Sequence, residues 1–246
     1  MRNVYKIAGI TVLIESLYER IHRMSVDYLT SGIPEYFIKT TEEDIEKERN
    51  LSAQEDIERG REVRAFPPDY LETLAVYRLF VEKVTGKDVI LFHSTAIEAN
   101  GKAYLFTAPS GTGKSTHAAI WRRVYGERVR IINDDKPLIR FEGGKATVYG
   151  TPWNGKHRLG ANISAPVSGI CFLNRGTENR IQRISGGEAL PGLLGQTYRP
   201  EDPESMATVL KLLVKLCSDV PMWRLWCNME DSAAKLSYET MTNIDK

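Results

Sequence analysis

The residues whose types and spacing could carry out chemistry begin near the middle of the chain. From Ala108 to Thr116 the sequence reads APSGTGKST, a glycine-containing stretch that ends in a lysine and two hydroxyl residues. The apolar run 103–107 before it predicts a buried strand, and the residues after it predict a helix. A strand, this loop and a helix in that order are typical of a phosphate-binding loop of the Walker A kind. The alternative is a strand-to-helix turn that carries a lysine by chance.

The residue types of this loop indicate how it would bind phosphate. Gly111 and Gly113 allow the backbone to form a concave nest of N–H groups at the start of the helix. We expect Lys114 to reach the terminal phosphates and the Ser115 hydroxyl to join the shell of a Mg²⁺ ion. Ala108 replaces the usual leading glycine and requires only a backbone that is not left-handed. The predicted nucleotide-binding residues are Ser110, Gly111, Thr112, Gly113, Lys114, Ser115 and Thr116.

A pair of carboxylates follows the next apolar run of the chain. Residues 129–132 predict a buried strand, which ends in Asn133, Asp134 and Asp135. Carboxylates at the end of such a strand are expected to lie beside the phosphate loop. One of them can orient or deprotonate a hydroxyl group, while the other holds Mg²⁺ through water. The alternative is a turn or helix-capping role, for which aspartate is favoured whatever the function.

Two further sets of side chains are candidates for the same site. Lys156, His157 and Arg158 lie between glycines, where three cations are suited to closing over a phosphate or an anionic acceptor. The alternative is a solvated basic loop. His93 lies in an apolar run predicted to be a strand, where a lone histidine is more often a core residue than a functional one.

Composition limits the class of protein. The chain has 246 residues, of which 42% are hydrophobic and 26% charged, enough for a full core. A net charge of +1 without a long basic run argues against general binding to nucleic acid or a membrane surface. The apolar N-terminal patch is too short for a membrane span and lacks a cleavage site. Three cysteines without metal-ligand spacing fit reduced thiols, so we expect a cytoplasmic protein.

The chain is expected to divide into a small α+β accessory region, 1–86, and a core, 87–246, that carries the loop. In the core, Asn100 and Gly101 predict a tight turn between strands 89–98 and 102–107. The loop therefore follows an antiparallel pair, which predicts an α/β fold with a mixed, partly antiparallel sheet. Residues 186–203 are expected to be irregular, and Asn228 is expected to cap a closing helix.

These motifs in this order resemble a known family. The histidine of LFHSTAIEANGKAYLF lies 21 residues before Lys114, and the aspartates of INDD begin 20 residues after it. Together with APSGTGKST they resemble the catalytic domain of the HPr kinase/phosphorylase family, in the P-loop group that includes the phosphoenolpyruvate carboxykinases. The likeness spans about residues 88–175. It implies that His93 lies near the phosphates and that Asp134 is the acid/base for a seryl hydroxyl. The family's glutamate-containing metal signature has no clear counterpart. The resemblance therefore implies a phosphotransfer reaction but does not imply that HPr is the substrate.

We therefore expect an ATP- and Mg²⁺-dependent kinase that phosphorylates a hydroxyl group of a peptide, protein or small metabolite. Its catalytic residues would be Asp134, His93 and Lys114, and its Mg²⁺ ligands would be Ser115 and Asp135. One alternative is carboxykinase-like phosphoryl transfer to an enolate, but no extra Lys/His/Asp set for a second metal is apparent. The other is a regulatory protein that only binds nucleotide, although such a protein would not need the Asp134–Asp135 pair. The sequence predicts neither the acceptor nor the oligomeric state.

Overall fold

The structure, a computed structural model, describes residues 1–58 and 60–243 of the chain. It divides into two compact units, Met1–Val84 and a second unit that begins at Thr85. The sequence-based boundary lay between residues 86 and 87. In the part of the chain that the structure describes, no helix is both long enough and apolar enough to cross a membrane.

The first unit is a small α+β structure. Strands β1 (Arg2–Ile7) and β2 (Ile10–Glu15) form an antiparallel hairpin, and β3 (Tyr36–Lys39) pairs parallel to β2. Helices α1 (Arg20–Met24), α2 (Glu42–Glu58) and α3 (Pro68–Val84) complete it. The buried Glu72 carboxylate of α3 accepts hydrogen bonds from the N–H groups of Leu17 and Tyr18 and from the Thr40 hydroxyl, at 2.6–2.9 Å. This carboxylate therefore fixes α3 to the segments that follow β2 and β3.

The second unit is built on a mixed sheet, as the sequence predicted. Its main path of strands runs in the order β4-β8-β9-β10-β6-β5-β7, and β12 pairs with β10 and β11. Strand β10 is parallel to β6 and β12, and the other pairs are antiparallel. The strands are β4 (Val89–Leu91), β5 (Thr95–Ala99), β6 (Lys102–Thr107), β7 (Val129–Asn133), β8 (Leu138–Glu142), β9 (Lys145–Tyr149), β10 (Ser164–Arg175), β11 (Arg180–Ile184) and β12 (Met222–Cys227).

Helices cover both faces of this sheet. On one face α4 (Lys114–Tyr125) packs against α7 (Asp231–Thr242), around the fully buried Trp121. On the other face α5 (Gly186–Gly195) packs against α6 (Pro203–Asp219). The sheet is therefore buried on both sides, which explains why β4 and residues 103–106 of β6 are continuous apolar runs rather than alternating ones.

Three sequence-based expectations about these elements are wrong. Residues 89–98 are not one strand, because β4 pairs with β8 whereas β5 pairs with β6 and β7, so that His93 lies in the break between them. Residues 186–195 form α5, which starts with a capping box between Ser185 and Glu188. Asn228 does not cap α7, since the N-cap residue is Glu230, whose N–H donates to Asn228 Oδ1 at 3.0 Å.

The topology brings the predicted site residues to one edge of the sheet. Strands β6 and β7 are both antiparallel to β5, so they run in the same direction and end at the same edge. Strand β10 is parallel to β6 and ends there as well. The register pairs Thr95 with Phe106 and Ala96 with Asn133. The phosphate loop after β6, the carboxylates after β7 and His93 before β5 therefore meet.

Candidate functional site

The loop between β6 and α4 has the backbone that a phosphate nest requires. Gly111 has a φ of 81° and Gly113 a φ of 126°, a region that favours glycine. A Cβ atom at either position would meet no other atom within 4 Å, so the backbone conformation rather than space selects glycine. Ala108 is not among the described residues with positive φ, so alanine fits in place of glycine there. Helix α4 begins directly after Gly113, and its unpaired N–H groups lie at the loop.

Lys114 is folded back onto this loop. Its side chain is buried, and Nζ donates a hydrogen bond to the Ala108 carbonyl at 2.9 Å. Burial lowers the pKa of the ammonium group below its ordinary value, while the Asp135 charge opposes this shift. An anionic group bound at the loop would be a stronger acceptor for this cation than a neutral carbonyl.

Asp134 is a buried carboxylate that is only half satisfied. The Gly155 N–H donates to Oδ1 at 2.7 Å, whereas Oδ2 has no hydrogen-bond partner among residues 1–58 and 60–243. Burial raises the pKa of the Asp134 carboxyl above its ordinary value, although the Gly155 N–H opposes this effect. A Cβ atom at position 155 would lie 3.0 Å from Oδ2, so glycine there also leaves room at that oxygen. Asp134 is therefore suited to accepting a proton.

The neighbouring Asp135 has the opposite electrostatic environment. Its Oδ1 lies 3.1 Å from His93 Nε2, and its Oδ2 lies 3.4 Å from Lys136 Nζ. Burial by itself would raise the pKa of the Asp135 carboxyl, but the hydrogen bond from His93 and the Lys136 charge outweigh it, so this pKa lies below its ordinary value. Two adjacent carboxylates whose pKa values are shifted apart are suited to different roles, one accepting a proton and the other staying ionised.

Two residues that the sequence did not single out hold this arrangement in place. The fully buried Asn133 amide donates to the carbonyls of Thr151 and Trp153, and its Oδ1 accepts the N–H groups of Asp135 and Lys136 at 2.9 and 2.7 Å. Gln196, after α5, has its Oε1 2.9 Å from His93 Nδ1, where this oxygen can accept a hydrogen bond from the imidazole N–H. The sequence contained a local signal for the role of Asn133, which directly precedes the aspartate pair. It contained none for the contact of Gln196 with His93.

Most of the predicted site residues line one cavity of about 340 Å³. Three predicted site residues, Thr112, His157 and Arg158, do not line this cavity. The side chains of Lys156, His157 and Arg158 are all exposed. The lining residues that had been predicted are His93, Ser110, Gly111, Gly113, Lys114, Ser115, Thr116, Asp134, Asp135 and Lys156.

Arg175, at the end of β10, contacts the loop from the other side. Its Nη2 donates to the Gly111 carbonyl at 2.6 Å, and its Nε donates to the Thr112 carbonyl at 3.4 Å. These carbonyls belong to the same peptide segment whose N–H groups form the nest. Arg175 therefore fixes the loop conformation and adds positive charge beside it.

His117, in the first turn of α4, packs between strand β6 and helix α7. It is 2% exposed, packs edge-on against Phe106, and lies with Nε2 3.0 Å from Ser237 Oγ and 3.2 Å from Trp121 Nε1. Its Nδ1 has no hydrogen-bond partner among the described residues. Burial lowers the pKa of His117 to about 4. The side chain is therefore neutral at physiological pH.

This burial predicts a pH dependence of stability. In the unfolded chain His117 titrates near 6.5, but in the folded chain it titrates near 4, so the unfolded state binds more protons between these values. The free energy of unfolding should therefore fall by about 3 kcal/mol from this group as the pH drops from 6.5 to 4. In His117→Phe, which keeps a buried ring, this part of the pH dependence should disappear. Urea unfolding of both proteins at pH 7 and pH 4.5 measures it, and equal pH dependence in the two would contradict the assignment.

Comparison with known proteins gives little beyond a fold likeness. No protein-family model matches the chain, and no curated protein matches it. Among solved structures, it is similar to the HPr(Ser) kinase/phosphatase from Coxiella burnetii, over 62% of this chain and 99% of that one, with 12% identity and a TM-score of 0.32. This is a weak structural likeness, and it does not assign the chain to a family.

Proposed function

We propose that this protein is a cytoplasmic kinase that transfers the γ-phosphate of ATP to a hydroxyl group of a peptide, protein or small metabolite. One observation carries the proposal. The half-satisfied Asp134 carboxylate, whose pKa burial raises, lines the same cavity as Lys114 and the glycine loop. A protein that only bound nucleotide would need the loop but would gain nothing from a buried proton acceptor beside it.

The residues around the loop fit a polyphosphate group. Its backbone N–H groups and the N-terminus of α4 provide donors, Lys114 provides a positive charge, and the open space at Gly111 and Gly113 leaves the nest accessible. In this proposal Lys114 leaves the Ala108 carbonyl and binds the β- and γ-phosphates, where it stabilises the charge that develops during transfer.

The donors near the loop also fit Mg²⁺. The Ser115 hydroxyl and the Asp135 carboxylate both line the cavity, and both are the oxygen donors that this ion prefers. Within the described ranges no three His, Cys, Asp or Glu side chains are grouped to hold a metal by themselves. Phosphate oxygens and water would complete the shell, as is usual for Mg²⁺ in phosphotransfer sites. When bound, the ion neutralises phosphate charge and orients the phosphates.

In this proposal, catalysis requires that the acceptor hydroxyl and the γ-phosphate be correctly positioned and that one proton be transferred. The acceptor oxygen forms a bond to the γ-phosphorus, the bond from that phosphorus to the bridging oxygen of ADP breaks, and the hydroxyl proton passes to Asp134 Oδ2. Gly155 holds Oδ1 and so fixes the direction of the carboxylate. His93 binds Asp135 and keeps it ionised and in place. Lys156, exposed in the cavity wall, is placed to attract an anionic acceptor.

The direct test is a search for the phosphorylated product. The purified protein is incubated with ATP and Mg²⁺ and with a pool of hydroxy metabolites and serine-containing peptides, and products are analysed by mass spectrometry. We expect at least one species heavier by one phosphate group, whose formation requires both ATP and Asp134. Tight ATP binding without any phosphorylated species, for acceptors of every class tested, would favour the regulatory alternative.

Arg175 provides a more quantitative prediction. Arg175→Ala removes the donors that hold the Gly111 and Thr112 carbonyls, so we expect ATP affinity to fall by about three- to tenfold, as for the loss of one exposed charge-assisted hydrogen bond. Arg180→Ala is the matched control, because that guanidinium stacks 4.2 Å from the Trp226 ring centroid instead. Titration calorimetry with ATP-Mg²⁺ compares the two, and equal affinities would show that Arg175 does not support the loop.

A further inference from the structure

A separate cavity of about 300 Å³ lies beside the start of the phosphate loop, and we call it the Arg224 cavity after the cation in its wall. Ala108 and Pro109 also line it, and the next residue, Ser110, lines the 340 Å³ cavity described above. Among the described residues the two cavities share no lining residue, but they meet at consecutive positions of the loop. A molecule bound in the Arg224 cavity therefore lies next to the site of the proposed chemistry.

The strand register places the main side chains of this cavity on the face of the sheet that α5 covers. Phe172 of β10 pairs with Thr107 of β6 and with Arg224 of β12, so these three side chains point to the same face. A Cβ atom at Gly192 of α5 would lie 2.6 Å from the Phe172 ring, which identifies that face. Helix α4 covers the opposite face. The Arg224 cavity therefore approaches the loop from the side opposite α4.

Arg224 is a half-buried cation that lacks a counter-ion. Within residues 1–58 and 60–243 its guanidinium group makes no hydrogen bond and no ion pair. Hydrogen bonds from Ser185 lower the pKa of the Glu188 carboxyl, and the Arg224 charge adds to this effect, but that carboxylate is held in the capping box of α5. A guanidinium group can donate two parallel hydrogen bonds to one carboxylate. Its free donors in a cavity wall therefore point to an anionic ligand.

Aromatic rings and an amide complete the walls. Phe172 and Trp226 are half-buried, and the Arg180 guanidinium stacks 4.2 Å from the Trp226 ring centroid. The Asn174 amide, paired in register with Trp226, makes no hydrogen bond in the part of the chain that the structure describes. Apolar walls with a few polar groups are the usual form of small-molecule sites. The small volume suits one carboxylate and an apolar group of about the size of an aromatic side chain.

We propose that the Arg224 cavity binds a carboxylate group of the phosphate acceptor, held by Arg224 and Asn174, with an apolar part of the acceptor against the aromatic rings. The proposal rests on the proposed function and narrows the acceptor to a hydroxyl compound that also carries a carboxylate. Lys114, the predicted ligand of the terminal phosphates, has its Nζ at the Ala108 carbonyl, so the γ-phosphate would lie near the border of this cavity. Free hydroxy acids and peptides with a terminal carboxylate both have the required chemistry.

The test uses acceptors in matched pairs, each a carboxylic acid and its primary amide. 3-Phenyllactic acid and its amide represent free hydroxy acids, and N-acetylseryl-phenylalanine and its amide represent peptides. Titration calorimetry without ATP measures binding, and initial rates with ATP-Mg²⁺ measure phosphate transfer. We expect at least one acid to bind about tenfold more tightly than its amide and to be phosphorylated. The pair that shows this preference identifies the source of the carboxylate, and equal binding of acid and amide in both pairs would overturn the proposal.

Variants locate the preference in the cavity. Arg224→Gln should lower the affinity for the acid by about tenfold and leave the affinities for the amide and for ATP unchanged. Asn174→Asp should also weaken binding of the acid, because its new carboxylate repels that of the ligand. Arg183→Gln is the control, since that exposed guanidinium lies 5.7 Å from the Trp223 ring centroid, on the opposite face of the sheet.

The outcomes separate this site from the kinase activity. Phosphate transfer with the same preference for the acid in Arg224→Gln as in the wild-type protein would overturn the carboxylate site and leave the kinase proposal standing. Loss of ATP affinity in Arg224→Gln would also overturn it, because Arg224 would then act on the donor. If the acids bind through Arg224 but no acceptor is phosphorylated, the proposed function is overturned, and with it the assignment of this site to an acceptor.

Discussion

Replacing Lys114 with alanine should lower the rate of phosphotransfer by about 10²- to 10³-fold, the loss that follows removal of one group that stabilises transition-state charge. The loop provides many N–H donors, but Lys114 is the cation on it. Its Nζ atom lies 2.9 Å from the Ala108 carbonyl oxygen, at the start of the loop. Lys156 lines the same cavity, but it belongs to the loop between β9 and β10. Initial rates of phosphate transfer from ATP-Mg²⁺ measure the effect.

The control for this variant lies at the start of β6, the strand that leads into the loop. Lys102→Ala removes an exposed lysine at the start of β6 and should leave the rate unchanged. We expect Lys114→Ala to stay folded, because burial lowers the pKa of the ammonium group and so disfavours its charged form. A rate close to that of the parent protein in Lys114→Ala would contradict the phosphate-loop interpretation.

The parts of the site that could be predicted are those encoded by contiguous residues. The loop required only a strand, two glycines, Lys114 and a helix in order, and each of these is a local signal. The carboxylates required only that a buried strand end in Asp134 and Asp135. A hydrophobic run with polar residues at its end indicates where a strand stops. Where two strands of a sheet end at the same edge, the side chains that follow them lie close together.

The contacts that could not be predicted join distant segments. His93 and Gln196 are 103 residues apart, and the packing of α5 brings them together. Helix α5 itself was missed because GGEALPGLLG carries four glycines and a proline, which ordinarily oppose a helix. The structure gives the reason for two of these glycines. A Cβ atom at Gly186 would lie 2.8 Å from Cys217, and one at Gly192 would lie 2.6 Å from Phe172, so close packing selects glycine there.

The division of labour between the two aspartates also depends on the fold. Both are the same residue type in adjacent positions, and no sequence pattern distinguishes them. Asp134 is enclosed next to the Gly155 backbone, whereas Asp135 lies between His93 and Lys136, two groups that can carry positive charge. Their pKa values therefore move in opposite directions, a difference that only the three-dimensional surroundings create.

This difference leads to the prediction that best separates a kinase from a nucleotide-binding protein. In Asp134→Asn the side chain keeps an oxygen for the Gly155 N–H but can no longer take a proton, so turnover should fall by about 10²- to 10⁴-fold. ATP affinity should change little or rise, because a negative charge near the phosphates is removed. Asp135→Asn should instead weaken the dependence of the rate on Mg²⁺, because its proposed role is to hold that ion.

Stability provides an independent measurement on the same variant. Because burial raises the pKa of Asp134, its ionisation destabilises the folded state, and this cost appears as the pH rises through the folded-state pKa. Ligand-free Asp134→Asn should therefore unfold at a higher urea concentration than the parent protein at pH 7, and the difference should shrink as the pH falls toward 3.8, the ordinary value for the carboxyl. An unchanged rate of phosphotransfer, or loss of ATP binding in titration calorimetry, would show that Asp134 is not the base. A lower urea midpoint at pH 7 would show that its charge is stabilised by contacts other than those described.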